Sequence, residues 1–129
     1  MQTNRKFLVT GAIFGLIAVI LGAFAAHGLK ETLSEASLNS FETGVRFQMY
    51  HAFLMLILGI IITEKDNKLL FYLFLLGTIL FSGSIYLLST TAVTGVDFSA
   101  IALVTPIGGG LLIVGWFLLV LKFIKLKNK

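Results

Sequence analysis

With 129 residues, 57% of them hydrophobic and 12% charged, the chain has about half the charged fraction of an ordinary soluble domain, so it needs lipid as its solvent. The absence of cysteine excludes disulfides, thiolate chemistry and iron–sulfur clusters, and two histidines, His27 and His51, are too few for an all-protein zinc site; no metal and no cofactor is expected. A formal charge of +4 would suggest nucleic acid in a soluble protein, but here the positive residues stand at the ends of apolar runs, which is a membrane-orientation pattern and argues against nucleic acid as a partner.

A hydrocarbon core of about 30 Å takes roughly 20 helical residues. Four apolar runs of that length follow one another, at about 7–26, 45–63, 69–90 and 101–123. They are continuous rather than alternating, which disfavours a strand barrel. A single proline and the lack of any linker-like stretch make 1–129 one domain. The expected fold is all-α, an integral membrane four-helix bundle.

The first run follows Arg5 and Lys6 and ends near Ala23-Phe24-Ala25, which imitates a secretory signal with its cleavage site. Its apolar stretch exceeds the roughly 7 to 15 residues of a signal core, so it reads as a retained helix. Gly11, Gly15, Ala18, Gly22 and Ala25 repeat at a 4-3-4-3 spacing, which keeps small residues on one stripe. Lipid gives little drive for helices to associate, so this stripe is expected to be a helix-packing face.

Between the first two runs, residues 28–44 are not featureless. Leu29, Leu33 and Ala36 recur at helical spacing, and Asn39 with Glu42 resembles a capping box. The pattern predicts a short interfacial helix ahead of the second span. Within that span Glu42 and Arg46 are placed to pair. Stepping 100° per residue puts Arg46, Met49, Tyr50 and Phe53 on one face and Gln48, His51, Met55 and Gly59 opposite, which predicts protein on both sides, with this helix central in the bundle or at a contact between protomers. Arg46 reads as a snorkelling anchor or as an anion or headgroup contact. His51 reads as a packed, hydrogen-bonded histidine or as a functional one.

The third run contributes Ser82-Gly83-Ser84. The fourth contributes Thr105-Pro106-Ile107-Gly108-Gly109-Gly110, where proline removes a hydrogen bond and the glycines ease unwinding, so a kink or break at Pro106 is expected. It serves close packing, or it frees backbone groups to face an ion or anion. Counted from the outer boundaries, His51 and Pro106 lie roughly 7 to 9 Å inside, with Ser82 and Ser84 near that level. His27 and Glu42 flank them. One outward-opening polar cluster is therefore expected, made of His27, Glu42, Arg46, Gln48, Tyr50, His51, Ser82, Ser84, Thr105, Pro106, Gly108 and Gly109.

Lysine and arginine in short connections are retained on the cytoplasmic side. Arg5, Lys6, Lys65, Lys68, Lys122, Lys125, Lys127 and Lys129 fall on one side, against Lys30 and Arg46 on the other. Both termini are therefore expected on the cytoplasmic side.

The segments Gly22-Ala23-Phe24-Ala25-Ala26-His27-Gly28-Leu29, Glu42 through Ala52, Phe81-Ser82-Gly83-Ser84 and Thr105 through Gly109 closely resemble small bacterial membrane proteins grouped as domain of unknown function 423, also called uncharacterised protein family 0382. The likeness extends over essentially the whole chain. It implies a four-helix inner-membrane protein and brings no established activity or substrate. Three functions remain open on the residues. The first is an accessory or scaffold protein binding a lipid or another membrane protein. The second is an oligomeric transporter, in which proton coupling would fall to His51 because every carboxylate lies outside the four runs. The third, an outer-leaflet lipid-modifying enzyme, would use His27 or His51 as base and Arg46 as headgroup clamp, without an evident carboxylate pair or serine triad. Expected partners are membrane lipids, a second copy of the chain or another membrane protein.

Overall fold

In a computed structural model the protein is described over residues 4–62 and 67–127. The expected end of the second span at Thr63, the connection around Lys65, and Lys129 lie outside the described residues. Helix α1 (Arg5–Phe24) runs on into a π-helical turn, Ala25–Leu29, and is followed by α2 (Glu35–Ile61), α3 (Lys68–Ser89), the single turn α4 (Thr91–Thr94), a 3-10 turn at Ser99–Ile101 and α5 (Val104–Ile124). Four segments, Arg5–Leu29, Glu35–Ile61, Lys68–Ser89 and Ser99–Ile124, are apolar and 22 to 27 residues long. At about 1.5 Å per residue each exceeds a hydrocarbon core of about 30 Å. The protein is an all-α integral membrane protein.

The separate interfacial helix expected in residues 28–44 is absent, because α2 begins at Glu35 and runs unbroken into the span. Ser34 is its N-cap, accepting from the Ser37 backbone N–H at 3.1 Å. Leu33 before the cap and Leu38 in the first turn join one apolar cluster with Leu29 and Phe41, which fixes the approach of the chain as a hydrophobic staple does. Asn39 and Glu42, expected as a cap, lie inside the helix, and Thr43 donates to the Asn39 carbonyl there.

Pro106, where a kink or break is expected, lies within α5, two residues past its start. The 3-10 turn closes at Ile101, α5 starts at Val104, and Pro106 sits in its first turn, where its missing N–H deprives the helix of nothing. From there α5 continues helical through Gly108 to Gly110.

Helix α2 packs between α1 and α3, and α3 carries α5 on its other side. A Cβ at Gly11 would meet the Ala52 carbonyl and Leu56, one at Gly59 would meet Leu8, and Gly15 and Gly22 face Ala52 and Val45. Ala18 and Ala25 on the same stripe are buried. Between α3 and α5 the closest approach is at Gly108, where a Cβ would run into the backbone of Leu80 and Phe81; Gly77 faces Leu112 and Gly115 faces Phe74. Phe7, Met55, Leu58, Phe71 and Phe74 fill the core toward one end, where the Phe7 and Phe71 rings meet edge to face at 5.1 Å and the Asn4 N–H donates to the Gly59 carbonyl at 2.7 Å. These contacts bring the starts of α1 and α3 together with the end of α2. Arg5, Lys6 and Lys68 stand at that basic end, where Lys6 lies 5.0 Å over the Phe71 ring.

Candidate functional site

The expected cluster separates into three polar groups at different depths. The deepest is His51. Its Nδ1 lies 2.7 Å from the Phe47 carbonyl, one turn back on α2, and the Trp116 indole N–H on α5 donates to its Nε2 at 3.1 Å. A carbonyl only accepts and an indole N–H only donates, so Nδ1 carries the proton and the ring is neutral. The ring is 4% exposed and lies against Phe74, six residues into α3. His51 is thus nearer the basic end than the outer end. The helix itself begins ten residues ahead of Val45, about 15 Å farther along its axis.

The middle group centres on Gln48. Its amide donates to the Phe14 carbonyl of α1 at 2.8 Å and its carbonyl accepts the Tyr86 hydroxyl of α3 at 2.7 Å. Ser82 donates to the Gly44 carbonyl at 2.7 Å. One glutamine thereby ties three helices, and every polar atom involved finds a partner inside the bundle. Thr78, buried nearby, finds no hydrogen-bond partner for its hydroxyl among the described residues.

The outer group lies where α5 begins. Ser84 and Thr105 share a short hydrogen bond between their hydroxyls, and Ser84 also donates to the Phe81 carbonyl at 3.0 Å. Beside them a hollow of about 480 Å³ opens between the start of α2, the end of α3 and the start of α5. Its hydroxyl-bearing residues are Ser37, Ser40, Ser89 and Thr105, and Pro106 forms part of its rim. No titratable side chain lines it.

The remaining expected residues do not enter this hollow. Arg46, Tyr50 and Phe53 are exposed on the side of α2 away from α1 and α3. Arg46 donates to the Thr43 hydroxyl at 3.0 Å instead of pairing with Glu42. His27 is exposed on the π-helical turn. Gly108 and Gly109 face Phe81 where α5 approaches α3. Outside the spans, Asp97 accepts the Ser99 backbone N–H at 2.9 Å; that hydrogen bond, with a further one from the Ser99 side chain, holds its carboxyl below the ordinary value of 3.8. Among the described residues no three His, Asp or Glu side chains gather as metal ligands would.

Sequence reasoning missed Trp116, Tyr86, Ser37, Ser40 and Ser89. For Trp116 a signal existed: it is the single tryptophan and stands well inside a span, whereas tryptophans collect at membrane interfaces. Ser37 and Ser40 fall in the stretch 28–44, which is expected as a short interfacial helix ahead of the span and forms the first turns of α2 instead.

Comparison with known sequences finds the pattern of the family described as protein of unknown function DUF423 over residues 21–109. The chain is 39% identical to a UPF0382 membrane protein of Staphylococcus saprophyticus over 95% of this chain and 99% of the relative. It is 38% identical to the UPF0382 membrane protein of Haemophilus influenzae, covering 97% and 98% respectively. Against the UPF0382 inner membrane protein YgdD of Escherichia coli it is 38% identical over 99% and 96%. No solved structure matches.

Proposed function

The chain belongs to the DUF423 family of membrane proteins of unknown function, and from that premise we propose that it is a lipid-binding accessory protein of the bacterial cytoplasmic membrane that holds a phospholipid of the outer leaflet in the hydroxyl-lined hollow. The observation that carries this reading is the hollow itself. It is large enough for a headgroup and glycerol region, lies between helix ends, and offers hydroxyls that accept, with Ser37 and Ser40 placed to donate as well. Uncharged hydrogen-bonding groups suit ester and glycerol oxygens, and the apolar Ile85 and Leu88 on the same wall suit the first methylenes of a chain. Both termini lie in the cytoplasm in this reading, supported by the lysine and arginine asymmetry of the connections.

Turnover and proton-coupled transport draw less support. A general base or proton carrier needs a lone pair within reach of substrate or water, and the lone pair of His51 is taken by Trp116 in a buried position. The test is photolabelling of the purified chain in vesicles with a phospholipid carrying a diazirine near its glycerol. Label is expected on the first turns of α2 and α5 and should fall several-fold in Ala102→Phe, which fills the hollow from an exposed position. Equal labelling of both proteins would sink the proposal. Solute flux in proteoliposomes that vanishes in His51→Ala would replace it with transport.

A further inference from the structure

The opposite end of the bundle carries a second cavity of a different chemistry. A notch of about 380 Å³ lies between the first turn of α3 and the last turns of α5. Ile62 closes it toward α2, Leu70 and Leu118 form its walls, and Lys122 and Lys125 stand at its mouth. We propose that this notch binds an anionic phospholipid, with the phosphate at the two lysines and an acyl chain along the leucines.

The polarity gradient matches that occupant. Lys122 in the last turn of α5 and Lys125 at its C-cap are three residues apart with the cap still in helical conformation, so both project over one face of the helix end. Below them the lining is wholly aliphatic apart from Asn67. Leu69, at 66% exposure, borders the notch from the lipid side, so a chain can enter laterally from the bilayer. Lys122 is half-buried and engaged in an interaction within the protein, which orders that side of the mouth, while Lys125 is exposed. Lys68 and Lys127 add positive charge at the same end. A free phosphate would satisfy the lysines yet leave the leucine walls uncovered; a zwitterionic lipid would cover the walls and bring its own cation to the lysines. A basic recess between helix ends, backed by apolar surface, is the form such lipid sites take. This site is independent of the outer hollow, whose lining has no charge.

The experiment uses the full chain, stripped of lipid in a neutral detergent and titrated with phosphatidylglycerol, phosphatidylcholine or water-soluble glycerol phosphate. Bound lipid is read by native mass spectrometry and stability by thermal unfolding. Phosphatidylglycerol is expected to bind and raise the unfolding temperature, the other two probes to do neither. Lys125→Gln should weaken phosphatidylglycerol about five-fold, Lys122→Gln combined with it further, and Lys125→Arg should restore binding. Lys30→Gln, at the other end of the bundle, should bind as the unaltered chain does. Equal binding of the two phospholipids, stabilisation by glycerol phosphate equal to that by the lipid, or full binding in Lys125→Gln would each overturn the proposal. Because Lys125 is exposed, its variant folds even if the Lys122 variant does not, and the test stands on it alone.

Discussion

At the scale of single residues, the His51–Trp116 hydrogen bond explains how a ring with two polar nitrogens lies deep in an apolar bundle. Both nitrogens have partners of the right sense, so the ring is buried without an unmet donor or acceptor. Removing either side chain leaves the other with a buried polar atom unpaired, and this, with lost packing, costs about 1 to 3 kcal/mol. Trp116→Phe and His51→Leu are each expected to lower stability by that order in thermal unfolding in detergent. Interhelical polar pairs in membranes couple by about 0.6 kcal/mol and up to about 1.7. The double variant should therefore lose less than the two single losses added together; strict additivity would mean that the bond contributes nothing. The sequence revealed His51 as a polar residue in an apolar run but hid its donor, since Trp116 lies 65 residues away on another helix. Gln48 was visible in the same way, and its partners on α1 and α3 were hidden for the same reason.

At the scale of elements, each boundary that moved did so because two local signals competed. Ser34 and Asn39 both offer an N-cap; Ser34 prevails because Leu33, Leu38 and Phe41 bury together around it, and burial outweighs a second cap. Pro106 and its glycines carried two readings in sequence, packing or a bound ion. Their environments differ residue by residue, and this can be measured. A Cβ at Gly108 meets the backbone of Leu80 and Phe81, which cannot yield without moving α3 from α5, whereas nothing lies within 4 Å of a Cβ at Gly110. Gly108→Ala is expected to destabilise the protein by about 1 to 3 kcal/mol or more. Gly110→Ala should be neutral or stabilise by up to about 1 kcal/mol through helix propensity. Thermal unfolding of the two variants side by side decides it, and equal behaviour would remove the case for Gly108 as the point of closest approach. The π-helical turn at Ala25–Leu29 had no sequence signal that distinguished it from ordinary helix.

At the scale of the whole molecule, the number of spans was legible because each run is about as long as a bilayer is thick and the charges stand between runs. The order of packing was not. All four helices are apolar nearly all round, so the side facing protein and the side facing lipid look alike in composition. Only the small residues marked contact, and they did not say with which neighbour. Charge carries more information at this scale. Arg5, Lys6, Lys68, Lys122, Lys125 and Lys127 gather at one end of the bundle, while Glu31, Glu35, Glu42 and Asp97 accompany Lys30 and Arg46 toward the other. Cationic residues in short flanks resist translocation, and carboxylates weigh little in that balance. Six cations against two support the proposed insertion, with both ends of the chain inside. A fluorescent protein fused to the C-terminus should fluoresce, and alkaline phosphatase fused there should stay inactive. The same phosphatase inserted at Gly95, an exposed glycine with positive φ in the turn after α4, should be active. Phosphatase activity at the C-terminus with none at Gly95 would invert the protein. The uncharged hollow would then face the leaflet assigned to the lysine notch, and the lysines would meet the outer leaflet, so this one measurement bears on where both lipid sites can act.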